Sequence, residues 1–239
     1  MYFAHGINSL PRQSAFTPVY GTVTIQSRQY TTVTIGNQEW TVEDLDEKFD
    51  FTPVKTKSNG LQTTPAMWYQ NDNEAVYGLD GAVKRGAYYN YYAVAQIEAN
   101  KNTLLPSGWH VPSRNDFITL CKFFGDAPKS YHTELLALNG SLGTYNGTSY
   151  PFNNKGTNES GFAFATNGCW HSDTYNKNNH YYADSNSRGY LWTIDIDDGP
   201  QLYNDNFAFA FLTMGSGYVY IESRSQSNGL NVRFVREIA

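Results

Sequence analysis

Hydrophobic and polar residues change rhythm several times along these 239 residues, and each rhythm predicts an element. Near the start, GTVTIQSRQ and YTTVTIGNQEW alternate with period two. They carry the phrase TVTI twice, at Thr22 and again at Thr32, which reads as two strands of a local hairpin. Gly36-Asn37 is the turn inside the second run. Residues 43 to 75 have few apolar anchors beyond Phe49, Phe51, Met67 and Trp68, and read as irregular. The rhythm then becomes helical. In Ala87 to Asn100, Tyr88, Tyr91, Tyr92 and Ala95 recur at three- and four-residue steps. A second helix opens at Ser113, whose hydroxyl caps it with Asp116 as the reciprocal partner and Pro112 just before. Phe117, Leu120, Cys121 and Phe124 form its inner stripe and Gly125 ends it. A helical turn is expected near Glu134 to Leu138.

Residues 139 to 160 are Gly, Asn, Ser and Thr and read as a long loop. Short strands follow at 162–165, 190–194, 206–212, 217–224 and 230–236. Phe207, Phe209 and Phe211 share one face of theirs. Val219, Ile221 and Ser223 share a face of the next, leaving Tyr218, Tyr220, Glu222 and Arg224 opposite. In the last strand Leu230, Val232 and Phe234 point in, with Asn231 and Arg233 out. Two helices followed by antiparallel strands with long polar loops is an α+β pattern. Residues 1–27 are expected to be an arm for attachment or oligomerisation, and 28–239 the domain.

Composition narrows the function. Charged residues are 16% of the chain, aromatics also 16%, with 19 Tyr, and the net charge is −5. A surface low in charge and rich in Tyr and Asn suits recognition, because Tyr offers rigid amphipathic area and Asn adaptable hydrogen bonds. The same Tyr residues also favour strands. The acidic balance, with no basic run, excludes a nucleic-acid partner of the phosphate-neutralising kind. No apolar stretch is long enough to span a bilayer, and the first residues do not read as a secretion signal.

The candidate chemistry is thin. Cys121 and Cys169 lack metal or redox spacing, and read as two buried thiols or one disulfide. His171 and His180 have no partner at ligand spacing, so no metal is expected. Asp195, Asp197 and Asp198 before Gly199 could hold calcium but read as a solvated acidic turn. Asn139, Asn146 and Asn158 fit a glycosylation acceptor pattern that reads as loop composition. No catalytic constellation and no cofactor are expected, and the chain reads as a non-enzyme.

Six blocks in order carry a resemblance: TVTIGNQEW, YGLDGAVKRGAYYNYYAVA, LPSGWHVPSRNDFITL, GTNESGFAF, GYLWTIDID and GLNVRFVRE. Together they resemble the Fibrobacter succinogenes major paralogous domain, covering about residues 28 to 239. That family is similar to the C-type-lectin fold, shared by formylglycine-generating enzymes and by the variable receptor-binding proteins of diversity-generating retroelements. The resemblance implies that Trp109 packs in the core, Pro112 shapes the helix entry and His110 is structural. GYLWTIDID departs from the family's more usual phrase.

By the same resemblance the displayed surface lies between about Thr193 and Ser227, with Tyr203, Asn204, Asp205, Tyr218, Tyr220, Glu222 and Arg224 as ligand-binding residues. The implied function is a virion-attached binding protein, a phage fibre, tail or capsid decoration. Residues 1–27 would hold other virion proteins and the loops a host surface glycan or protein, in a homo-oligomer with a trimer favoured. The alternatives are a purely structural decoration protein and a bacterial cell-surface adhesin.

Overall fold

The computed structural model describes residues 16–56, 62–81, 84–125, 127–135, 156–172, 180–184, 187–199, 206–214 and 217–238. The first sheet is built from both ends of the chain. β1 (Val19–Ile25) pairs antiparallel with β2 (Arg28–Ile35), and β2 with β3 (Gln38–Thr41). Gly36 makes the turn between β2 and β3 at a φ of 62°, a conformation open to glycine without a Cβ clash. The expected division at residue 27 therefore falls inside a hairpin, whose two strands each carry one TVTI phrase. From Val19 onward the chain belongs to the sheet.

The segment that reads as irregular contributes two short strands, β4 (Val54–Lys55) and β5 (Met67–Trp68), and the helical turn α1 (Glu74–Tyr77). β6 (Tyr88–Tyr89) pairs with β5, so the helix predicted from Ala87 begins only at Tyr91. Asn90 is the reason: its side chain accepts the Ala93 N–H and caps α2 (Tyr91–Ala99). The one-turn α3 (Lys101–Leu104) follows. α4 (Arg114–Phe123) carries the predicted capping box, Ser113 accepting from the Asp116 N–H while the Asp116 carboxylate accepts from the Ser113 N–H. After β7 (Ser130–Tyr131) a 3₁₀ turn spans Thr133–Leu135.

The hairpin of β8 (Cys169–Ser172) and β9 (His180–Ala183) precedes three long strands, β10 (Arg188–Asp197), β11 (Phe207–Met214) and β12 (Tyr218–Ser225). These three and β7 make a second sheet, in the order β10-β11-β12-β7. The chain closes with β13 (Val235–Glu237), which pairs with β3 and sets Val235 opposite Trp40. The architecture is mixed α+β, with small antiparallel sheets and few helices, and one parallel pair, β4 with β5.

The second sheet is covered on both faces, and its alternation assigns residues to two cores. On one face Tyr190, Trp192, Ala208, Ala210 and Leu212 meet Tyr91, Ala93, Val94 and Ile97 of α2. On the other, Leu191, Phe211 and Val219 meet Phe117, Leu120 and Cys121 of α4. Phe117 stacks on Phe211 with centroids 4.4 Å apart. Full burial of side chains of this size stabilises the fold by roughly 1.5–3 kcal/mol each. Phe207, Phe209 and Phe211 do share a face, but only Phe211 is fully buried, while Phe209 lies under the Arg114 guanidinium, 4.0 Å from its centroid.

The strand predicted over 230–236 forms only at Val235–Glu237, and the residues before it depart from their predicted orientation. Leu230, Val232 and Phe234 are buried as expected, yet Asn231 and Arg233 are buried too, each 2% exposed. Arg233 Nε donates to Asp44 Oδ1 at 2.7 Å, and its two terminal nitrogens donate to the carbonyls of Phe162 and Ala163. Asp44 Oδ2 accepts from Asn167 Nδ2 at 2.7 Å, and Asn231 Nδ2 donates to the Ala87 carbonyl at 3.0 Å. A charged residue is found this deep only when paired and hydrogen-bonded, and here both conditions hold. Period-two alternation sorts residues onto two faces but does not tell whether either face meets water.

Candidate functional site

The residues expected to bind divide in two. Tyr203, Asn204 and Asp205 lie outside the described residues. Tyr218, Tyr220, Glu222 and Arg224 are on β12, and their even spacing puts all four on one face. All four are half-buried rather than free in solvent, because that face is the one that also carries Tyr190, Trp192 and Leu212 into the larger core. Tyr220 packs against that core, and burial, with Glu222 adding to it, pushes its phenol up. Arg224 pairs with Glu222 and lies 5.1 Å from the Tyr190 ring centroid. Tyr190 in turn donates its hydroxyl to Asp184, whose carboxylate lies 3.7 Å from Arg188. The expected outward set is thus corrected to a margin, with Arg224 and Tyr220 anchored and Tyr218 at the end.

At that end the structure adds a residue the sequence reading missed. β7 places Tyr131 directly across from Tyr218, their rings edge-to-face with centroids 5.3 Å apart. Tyr218 is 6.1 Å from Tyr220 in turn. Tyr131 is 69% exposed, the most exposed of the large hydrophobic side chains among the described residues. The three rings form a row that climbs from the core to the open edge of the sheet, since β7 is the last strand in the order. Such a row offers flat apolar faces with hydroxyl tips. A two-residue strand is too short to show alternation, so no pattern in the sequence marks Tyr131.

The other candidates find structural partners. Asp195 sits where the β10–β11 register shifts between Trp192 and Ile196, and the displaced carboxylate accepts the Arg114 N–H at 2.6 Å, at the first turn of α4. Asp197 accepts from Ser223 Oγ and the Gly199 N–H, and these bonds hold it below the usual carboxylate range. Among the described residues no three His, Cys, Asp or Glu side chains gather as a metal site. Trp109 is buried, and Pro112 accepts the Ile194 N–H at 2.9 Å on the way into α4. His110 lies 3.5 Å from Asp116, and that hydrogen bond, against the opposing effect of burial, raises its pKa. Cys121 and Cys169 are both free and buried, and burial pushes the Cys169 thiol up to about 12, where it is inert. His171 stacks on Tyr181 and His180 on Trp170. Of the glycosylation patterns, those at Asn139 and Asn146 lie outside the described residues, and Asn158 accepts the Ala163 N–H at 2.9 Å.

A groove of about 590 Å³ lies elsewhere, lined by Gln26, Ser27, Lys48, Phe49, Phe51 and Thr103 among others. Phe49 and Phe51 stack there at 5.3 Å. No helix among the described residues is long and apolar enough to cross a membrane.

Comparison with known proteins adds one finding. No curated protein and no solved structure matches. The model of the Fibrobacter succinogenes major domain matches residues 33–236, most of the chain, from within the first of the six blocks to within the last. The protein belongs to the Fibrobacter succinogenes major domain family.

Proposed function

We propose that this domain is a recognition module of C-type-lectin-like build that binds a surface glycan through the Tyr131–Tyr218–Tyr220 row. The observation that carries the reading is this row at an open sheet edge, bordered by the Glu222–Arg224 pair and Arg188. Tyr rings stack on the C–H faces of sugars at low entropic cost, and carboxylate and guanidinium groups beside them match hydroxyls. The C-type-lectin-like build is supported by two features. The first and last strands share a sheet through β1-β2-β3-β13, and two helices pack on opposite faces of the long-stranded sheet.

Display on a phage particle, with the residues ahead of β1 as attachment and a trimer as the assembled form, is the setting in which a weak single site gains most. Linked copies raise the effective concentration of each site. A purely structural decoration role is the second reading, and a bacterial cell-surface adhesin the third.

The test is a screen of immobilised bacterial surface polysaccharides against the full chain, Tyr131→Ala and Tyr218→Ala. Binding by the parent and loss of at least about 10-fold in both variants, each still folded, is expected, since a central aromatic contact is worth more than about 1 kcal/mol. Equal binding by all three proteins overturns the assignment of the row. No binding by the parent to any glycan favours the decoration role.

A further inference from the structure

From Ser130 on the same short edge strand that presents Tyr131, through His132 just after it, to Glu134 in the 3₁₀ turn that follows, a serine, a histidine and a glutamate stand in hydrogen-bonded sequence. Ser130 Oγ is 3.0 Å from His132 Nε2, and His132 Nδ1 is 2.8 Å from Glu134 Oε1. The Ser130 hydroxyl is half-exposed and also reaches the Ala127 carbonyl at 3.2 Å in a surface bond, while the His132 side chain is 2% exposed and that of Glu134 19%. We infer that Ser130, His132 and Glu134 form a nucleophilic serine site that cleaves carboxylic esters.

The tautomer follows from the partners. A carboxylate accepts only, so Glu134 fixes the imidazole proton on Nδ1 and leaves the Nε2 lone pair facing the Ser130 hydroxyl. That is the division of roles a serine nucleophile requires, and it is recognised by geometry rather than by chain order. Ser130 and His132 are the catalytic residues, and Glu134 is a positioning residue acting through His132.

Two backbone features complete the arrangement. Lys129, immediately before the nucleophile, has a φ of 85°, a conformation costly for a residue with a Cβ, and strain of this kind gathers at functional sites. The His132 N–H donates to the Gly217 carbonyl, on the flank of the Tyr131–Tyr218 pair. That makes Tyr131 and Tyr218 a non-hydrogen-bonded pair, so the Tyr131 N–H points away from β12 toward the open edge. An N–H on the residue after the nucleophile is placed to hold a developing oxyanion.

The reaction balances without a further cofactor. As Ser130 Oγ bonds to the acyl carbon, its proton passes to His132 Nε2 and the carbonyl π pair moves onto oxygen, facing the Tyr131 N–H. On collapse the bond from the acyl carbon to the alcohol oxygen breaks, and the alcohol leaves with the proton from Nε2. Water repeats both steps on the acyl-serine, releasing the carboxylic acid and restoring Ser130. The inference goes beyond binding and departs from the expectation of a non-enzyme. It does not rest on the glycan reading, because Ser130 and Tyr131 point to opposite sides of the strand.

The experiment treats the full chain with excess fluorophosphonate probe, which would form an O–P bond to Ser130 Oγ and release fluoride and a proton. It follows intact mass and peptide mapping for the parent, Ser130→Ala and Glu134→Gln, with thermal melts to establish folding, and p-nitrophenyl acetate turnover alongside. One adduct per chain on Ser130, absent from Ser130→Ala, is expected. Glu134→Gln should label and turn over at least about 100-fold more slowly with an unchanged KM, as loss of an oriented base requires. No adduct on the folded parent, or equal labelling of Ser130→Ala, overturns the inference. Unchanged turnover in Glu134→Gln overturns the role of that residue.

Discussion

Two parts of the molecule use polar and aromatic side chains in opposite ways. At the junction of β3, β13 and the segment 162–167, charge is inside: Arg233 and Asp44 are buried and paired, with further bonds to Phe162, Ala163 and Asn167. At the β7–β12 edge, aromatic surface is outside, with Tyr131 largely exposed over a half-buried Tyr218. The junction ties together distant blocks, residues 44, 85–87, 162–167 and 231–233, and so specifies the fold. The edge contributes little to packing and keeps its surface for contact. Charge at the junction ties the architecture together, and exposed tyrosine at the edge is the surface that the proposed recognition would use.

The comparison breaks most visibly at the junction. Arg233→Met leaves the Asp44 carboxylate buried with its ion-pair partner gone, and should cost about 3–5 kcal/mol. Urea unfolding followed by fluorescence measures it, and a loss under about 1 kcal/mol would show that the buried pair does not hold the blocks together. Removing the α4 cap comes next. Ser113→Ala gives up the bond to the Asp116 N–H and should cost about 1 kcal/mol by the same measurement. At the edge, Tyr131→Ala should change stability by under about 0.5 kcal/mol, the range of surface substitutions away from special features. A larger loss in the melt would reassign Tyr131 to packing.

A further small effect is electrostatic. The Asp116 hydrogen bond raises His110, while burial of Asp116 is outweighed by hydrogen bonds from His110 and Ser113 that lower it. A raised histidine contributes stability that is complete below its unfolded value of about 6.5 and is lost as pH rises through the folded value. A depressed carboxylate contributes stability above its unfolded value of about 3.9, lost as pH falls through the folded one. The pair therefore stabilises most between about pH 4 and 6.5. Melts from pH 5 to 8 should show a decline of under about 1 kcal/mol that His110→Gln abolishes. A decline of the same size in His110→Gln would place its origin elsewhere.

Much of this was legible in the sequence, and the failures have physical causes. The hairpin turn at Gly36, the capping box of α4 and its stripe of Phe117, Leu120 and Cys121 depend on local chemistry, and all are as the pattern predicts. Six ordered blocks placed the chain in its family. Arg233 and Asn231 were misplaced because alternation says which face a residue takes, not what covers that face. Tyr218, Tyr220, Glu222 and Arg224 were correctly grouped on one side of β12, but the core beneath them was invisible for the same reason. Ser130 and the exposed Tyr131 lie on a strand two residues long, where alternation has no length to appear, and His132 and Glu134 follow it into a 3₁₀ turn. The pairing of Tyr131 with Tyr218 joins residues far apart in the chain, and only the folded sheet shows it.

The most direct test of recognition at the edge is an NMR titration of the ¹⁵N-labelled domain with the polysaccharide fragment that binds best in the screen. The account predicts amide shifts concentrated on β7 and β12, around Tyr131, Tyr218 and Tyr220, with the groove at Phe49 and Phe51 unmoved. Shifts confined to that groove, with β7 and β12 silent, would contradict it.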